Sequence, residues 1–503
     1  LIGQSGTGKL LWWLLLAAIS VTLLLPFAVA DVPPMQDYPN HLARLFVLSF
    51  RGTDPVLARF YQPHWAIIPN LALDLIVPPL IRVFPVHDVG RVVAGCVVLL
   101  PLFGAVAYHR ALTGRLSWWP LASALFAFNG ASLRGFLNFI ASLGLALLLA
   151  AVWSAWREHA PRRTLVVAAL GAVGLFLCHL MGLVFFAILI GARDAAWLRA
   201  RHPRMRAILA RALFSGVVFV LPLALYALSD LREMAGDAVF RTAAGKAEAA
   251  LMPVINYNWP LDAATGLAVI GVVALCLARR WVTMRFEALV ALGTLMLLFL
   301  GTPTAFKGTF DLDTRFIVMA AFLLPAALEA GAIPRRAANL LTGGFATLFV
   351  VRMALILMIW HGWANDLARF RAVIAPVRLG DVVLTAGDPP GPRLSDGAIA
   401  GTHLPALLVI EHRAWWPFLF DNPSQQPIET REPFRTLAAL TDAAADPVGL
   451  VARGGDPALA PVTHVLVLGP PPNPVPDGLV RISGNEVAAL FAVRSARSRP
   501  LVH

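Results

Sequence analysis

The stretch Leu10–Ala30, LLWWLLLAAISVTLLLPFAVA, runs straight into Asp31-Val-Pro-Pro-Met-Gln-Asp37-Tyr-Pro-Asn-His41-Leu-Ala-Arg44. Its 21 residues carry no charge. As a helix they cover ~31 Å at ~1.5 Å per residue, the thickness of a bilayer's hydrocarbon core. The run is too long for a signal-peptide core, so it reads as a retained membrane helix. The rest of the chain has the same character. Of 503 residues, 58% are hydrophobic and only 14% charged, with a mean hydropathy of +0.72. Soluble domains carry about 25% charge and avoid long apolar runs, so a soluble enzyme is excluded. Further apolar runs fall near 88–108, 117–130, 135–156, 164–178, 180–197, 212–228, 263–278, 286–301, 316–333 and 339–360. The pattern predicts a polytopic α-helical membrane protein with about eleven spans.

The net charge of +12 points to topology, not to nucleic acid. One set of alternate connectors holds Lys9, Arg110, Arg115, Arg157, Arg162, Arg163, the arginines of 199–211, Arg279, Arg280, Arg285, Arg335 and Arg336. The other short connectors hold little beyond Arg134, Lys307 and Arg315. Cytoplasmic loops retain Lys and Arg, which predicts a cytoplasmic N-terminus and an extracytoplasmic C-terminus in a bacterial inner membrane. Cys96, Cys178 and Cys276 lie in apolar runs without C-x-x-C spacing and read as small core residues.

This topology divides the chain into a transmembrane domain over 1–360, with a first outer loop over 31–87, and a soluble outer domain over 361–503. In the loop, Asn40–Arg51 is apolar on one side, with His41, Arg44 and Arg51 on the other, the pattern of an interfacial helix. Pro39 suits a first helical position and leaves Asp37 just ahead of the helix. Asn70–Phe84 reads as a second interfacial helix broken at Pro78-Pro79. The tail changes composition toward Pro, Gly and Asp. It holds short β-like runs at Asp381–Thr385, Ala406–Ile410, His464–Leu468 and Leu479–Ile482, and a helical one at Phe434–Ala443. Alternating short strands and helices predict a small α/β domain.

Several motifs carry chemistry. Gly3-Gln-Ser-Gly-Thr-Gly8-Lys9-Leu10 resembles a nucleotide-binding loop, but Leu10 replaces its final Ser/Thr and no strand precedes it, so it reads as a flexible start. Asp37 stands directly after the first span. A carboxylate there is placed to deprotonate a hydroxyl acceptor while a phosphate-linked donor lies in the membrane, with His41 and Arg44 orienting it or binding phosphate. The plain alternative is that Asp37 caps the helix while His41 and Arg44 face water. Arg315, after Asp311 and Asp313 and near Lys307, either grips a phosphate through paired hydrogen bonds or forms a salt bridge at a helix end. His179 lies at a turn between two spans, where a polar group is either functional or structural. His64, Trp65, Asn70 and Asp74 are candidates for the wall of the same cavity. The aromatic and amide run Trp415–Gln426 serves either a carbohydrate or domain packing.

The Asp37 motif and its setting resemble the GT-C superfamily of integral-membrane glycosyltransferases, which includes protein O-mannosyltransferases and lipid A aminoarabinose transferases. Those proteins place an acidic motif in the first outer loop, followed by a short interfacial helix. The resemblance makes Asp37 the catalytic acid and likens His41-x-x-Arg44 to the residues after it, and Arg315-Phe316 to a contact for the donor's phosphate. The family often has two adjacent acids where this chain has Tyr38, which leaves divalent-metal use near Asp37 open. The implied reaction moves a sugar from a polyprenyl-phosphate donor to a lipid, glycan or protein acceptor on the outer face, with inversion and no nucleotide cofactor. A transporter or flippase of lipid-linked sugars, and a non-catalytic envelope assembly protein, are the alternatives. The first is disfavoured because no duplicated halves are visible.

Overall fold

The computed structural model describes residues 6–444, 446–453 and 456–494. Gly3–Ser5 of the nucleotide-loop-like run lie outside them, while its remainder is already the first turn of a helix, Gly6–Val29. Among the described residues, seven helices are long and apolar enough to cross a membrane: Thr7–Val29, Val86–Thr113, Leu137–Trp156, Pro161–Cys178, Leu180–Arg201, Trp259–Ala278 and Arg335–Ile374. Met205–Val217 and Val220–Ala227 form a further apolar pair bent by 51°, either a broken span or a re-entrant loop. Phe286–Gly301 and Thr314–Ala327 are shorter apolar helices. Large apolar side chains on these helices stay exposed, among them Leu170 (68%), Leu267 (72%), Leu297 (72%) and Leu340 (77%). Such an outer surface suits hydrocarbon, not water.

The eleventh expected run, 117–130, is not a membrane-length helix. It folds as a 3-10 helix, Trp119–Phe126, and a single α-turn, Gly130–Leu133. Trp119 packs near the paired strands Val282–Met284 and Leu328–Ala330, and Arg134 pairs with Asp311 at the start of Thr314–Ala327. The segment therefore travels the length of that helix as irregular backbone. Residues 120–133 are buried almost throughout, and their polar groups are met locally. Ser123 Oγ donates to Pro120 O, and Asn129 and Ser132 form a reciprocal capping box. Non-helical backbone at membrane depth survives only when enclosed by protein in this way.

The chain divides into two compact units. The first comprises Leu1–Pro26, Ile67–Ala72 and Val93–Leu357 and holds most of the apolar helices. Small residues set its tightest crossing. A Cβ on Gly144 would lie 2.5 Å from the Leu100 carbonyl carbon, and one on Gly104 would lie 2.7 Å from Gly144 O. At one end of this unit the basic connectors are tied together through Arg157–Asp194, Arg211–Asp194, Arg193–Glu287 and Arg285–Glu329.

The second unit combines Phe27–Ala66 and Leu73–Val92 with the tail from Met358. The first loop thus packs with the tail, across the division at 360 that the sequence suggests. A four-stranded sheet has the order Val383–Gly387, His464–Leu468, Ala488–Val493, Leu479–Gly484, parallel for the first pair and antiparallel beyond it. Tyr61–Pro63 of the loop pairs antiparallel with Ile428–Thr430 of the tail. The expected strand at Ala406–Ile410 is instead a 3-10 turn, Leu404–Ala406, leading into the helix Leu407–His412. Both pack on the loop helix Tyr38–Phe50, a tertiary contact that decides an apolar run too short to settle its own state. The helix Ala72–Ile81 likewise passes through Pro78 and Pro79 without breaking there, with Ser49 Oγ close to Pro78 O.

Gly144→Ala is expected to cost about 1–3 kcal/mol through overpacking. Gly174, with nothing within 4 Å of an added Cβ, tolerates the same change. Thermal unfolding of both variants in detergent checks this; equal Tm values would remove the crossing at Gly144 as a tight contact.

Candidate active site

In the second unit, Asp37 precedes the helix Tyr38–Phe50 but does not cap it. Its backbone is at φ −90°, ψ −8°, and its side chain accepts no hydrogen bond from the helix start. The helix is entered through Pro39, whose missing N–H leaves one donor fewer to satisfy. Asp37 Oδ1 instead lies 3.3 Å from His403 Nε2, and among the described residues His403 is its only side-chain partner.

Asn40 settles the state of that histidine. Its Oδ1 accepts from the Phe420 N–H at 2.7 Å, so the amide orientation is fixed. The amide nitrogen then donates to Phe418 O at 2.7 Å and to His403 Nδ1 at 3.1 Å. A neutral imidazole has one donor and one acceptor nitrogen, so Nδ1 holds the lone pair and Nε2–H points to Asp37. Phe420 packs edge-on to the His403 ring at 4.9 Å, and Trp416, itself donating to Thr385 Oγ1, stands beside it. The Asp37 carboxylate thus faces one ring nitrogen at 3.3 Å and keeps its acceptor capacity.

Behind this group, Arg44 and Asp74 form a buried bidentate pair, Nε to Oδ1 at 2.8 Å and Nη2 to Oδ2 at 3.2 Å. Burial pushes the Asp74 carboxyl upward, and Arg44 opposes this. Arg44 Nη1 also reaches His41 Nδ1 at 3.1 Å. Burial first, then the charge of Arg44, holds His41 well below the usual imidazole range, so it accepts from Arg44. Arg44 is therefore buried and committed to Asp74, while His41 is half-buried against Arg44. His64 ends the strand Tyr61–Pro63, its N–H donating to Pro427 O, and Trp65 beside it is 55% exposed.

In the first unit, the acids expected to neutralise Arg315 are engaged elsewhere. Asp311 pairs with Arg134 and Arg241, while Asp313 pairs with Arg241 and Lys246. Lys246 spends its other donors on Phe299 O and Thr302 O. Arg315 is buried and, among the described residues, makes no salt bridge with a carboxylate. It lies over Phe136 and Phe139, at 5.4 and 5.7 Å, and its Nη1 stands 2.8 Å from His179 Nε2. Lys307 is at the tip of the turn Phe306–Thr309. Among the described residues, no three His, Cys, Asp or Glu side chains are grouped to hold a metal ion.

Asp37, His41, Arg44 and Asp74 thus lie in one cluster of the second unit, while His179 and Arg315 touch in the first. Trp415 and Trp416 are buried packing residues. Sequence reasoning missed His403, Asn40, Arg241 and Lys246. Asn40 sits inside the Asp37 motif and was available; His403 lies 363 residues from it and carries no local signal. Arg44→Met, which strands Asp74 as a buried charge, is expected to cost about 3–5 kcal/mol, with most of it regained in Arg44→Met/Asp74→Leu. Thermal unfolding checks the pair; a double variant no better than the single one would mean that stranded charge is not the cause.

No family model and no curated protein matches the sequence. Solved structures similar to it include two of one protein. The crystal structure of ArnT from Cupriavidus metallidurans bound to undecaprenyl phosphate superposes with a TM-score of 0.52 at 12% identity, covering 97% of this chain and 98% of that one. The same protein in the apo state gives 0.52 at 11% identity, covering 97% and 99%. At this identity the likeness is one of fold. Over 97% of its length the chain shares the fold of the two ArnT structures.

Proposed function

We propose that the chain is a glycosyltransferase that moves a sugar from a polyprenyl-phosphate donor to an acceptor on the outer face of a bacterial inner membrane. The observation that carries this reading is Arg315, a buried guanidinium whose neighbouring acids are all paired with other cations. A buried cation without an anion costs several kcal/mol, roughly, and a phosphate removes that cost. The shared fold supports the same assignment, since the ArnT structure holds undecaprenyl phosphate. The basic end of the first unit, with Arg157, Arg193, Arg211 and Arg285, is assigned to the cytoplasm, and the tail to the outside.

In this reading Asp37 is the general base. It takes the proton of the acceptor hydroxyl as that oxygen attacks the anomeric carbon. The bond from that carbon to the phosphate oxygen breaks on the opposite side, its electron pair leaves with the polyprenyl phosphate, and configuration inverts. Arg315, with Lys307, stabilises the phosphate charge. His403 holds the carboxylate in position through Nε2–H, and Arg44–Asp74 fixes His41 beneath it. His64 and Trp65 are the candidate contacts for the acceptor. General-base assistance is worth roughly 10²–10⁴ in rate, and a leaving phosphate needs no further activation.

Mass spectrometry of lipid extracts tests the assignment. A strain lacking the chain, and the same strain expressing Asp37→Asn, should accumulate a polyprenyl-phosphate sugar that wild type clears. His403→Ala should accumulate less of it than Asp37→Asn. A normal lipid profile with Asp37→Asn, where deletion disturbs it, would contradict the catalytic role and favour transport or assembly.

A further inference from the structure

We infer that Asn70 and Asn138 recognise the sugar of the donor, their amide oxygens accepting from its hydroxyl groups; this rests on the polyprenyl-phosphate reading above. Asn138 lies in the first turn of Leu137–Trp156, and Asn70 in the turn that precedes Ala72–Ile81. The Asn138 amide nitrogen donates to Asn70 O at 2.8 Å. A backbone carbonyl only accepts, so this bond fixes which end of the Asn138 amide is nitrogen and turns its Oδ1 elsewhere.

Both residues are half-buried, yet Asn70 Oδ1 and Asn138 Oδ1 are enclosed atoms, and among the described residues neither has a hydrogen-bond partner. Buried amide oxygens are nearly always met, so two unmet ones in a single bonded pair of residues stand out. Asn70 carries a second cost. Its φ is +71°, in the left-handed region that side chains rarely adopt, with Asn among those that tolerate it. Strain and unmet polar groups held together mark a place where a ligand supplies the missing partners.

The class of ligand follows from what the oxygens need. An ionised phosphate offers acceptors and does not satisfy them, whereas an O–H group does. Position supplies the rest. Phe139, next in the chain to Asn138, has its ring 5.7 Å from the Arg315 guanidinium and 5.7 Å from the His179 ring. Cys178, next to His179, donates its S–H to Asn138 O at 3.3 Å. The two amides therefore border the cation assigned to the phosphate. A cation on one side and free acceptors on the other complement a sugar phosphate, with its anionic oxygens at one end and its hydroxyls at the other.

Lipid binding to the full chain in nanodiscs tests this, with two probes: undecaprenyl phosphate, and the polyprenyl-phosphate sugar purified from the strain lacking the chain. Asn70→Gly is the informative variant. Glycine takes a positive φ freely, and the backbone carbonyl that Asn138 needs is retained. The variant should bind the sugar lipid roughly three- to tenfold more weakly than wild type, as for one lost hydrogen bond, with undecaprenyl phosphate affinity and Tm unchanged. Both lipids weakened alike would mean that Asn70 only shapes the cavity, and would overturn the sugar assignment. Equal sugar-lipid affinity in the two proteins would also overturn it, leaving the amides to bound water and the donor reading intact. Absence of such a lipid in that strain, or wild type that binds neither probe, overturns both readings.

Discussion

A charge taken out of water must meet an opposite charge, and this requirement organises the protein more than any other. Arg352 and Asp262, both buried, join two membrane helices at 2.9 Å, with Thr265 and Val254 O completing the arginine's bonds. Arg157 reaches Asp194 in the same manner, and Arg44 reaches Asp74 beside the loop helix. Such pairs add little net stability over apolar residues, yet breaking one strands its partner, so they fix which helices meet. Asp311 and Asp313 extend the rule into a network with Arg134, Arg241 and Lys246. Against that background Arg315 stands apart, because these other buried charges each have an ion-pair partner and, among the described residues, it has none.

The backbone obeys the same economy of polar groups. The segment from Trp119 to Arg134 crosses the helical unit without forming one long helix, which bare hydrocarbon would not permit. Enclosure and local capping make it possible. Close helix packing in turn depends on Gly104, Gly144 and Gly182, where backbone or Cβ contacts leave no room for a side chain.

Most of the helices were legible in the sequence, because a long uncharged run has few other uses. The run at 117–130 was apolar enough to pass for a span; only the enclosing neighbours make it irregular. Strands at 383–387, 464–468 and 479–484 appeared at the expected places, while Ala406–Ile410 took its helical state from packing on Tyr38–Phe50. The site was half legible. Asp37 and Arg315 stand out as ionisable residues beside apolar runs, but the alternatives of cap and local salt bridge could be weighed only once the partners were visible. Asp37 makes no cap, and among the described residues Arg315 makes no salt bridge with a carboxylate, Asp311 being paired with Arg134 and Arg241. His403 escaped notice because its place beside Asp37 arises from the tail folding with the first loop, a long-range contact with no local trace.

The central claim is that Arg315 is held for a polyprenyl phosphate. A cryo-electron microscopy structure of the chain in nanodiscs with undecaprenyl phosphate tests it most directly. The account predicts phosphate density against the Arg315 guanidinium, with the acids at 311 and 313 still on their present partners. Density for the phosphate elsewhere, with Arg315 turned onto a carboxylate, would contradict it.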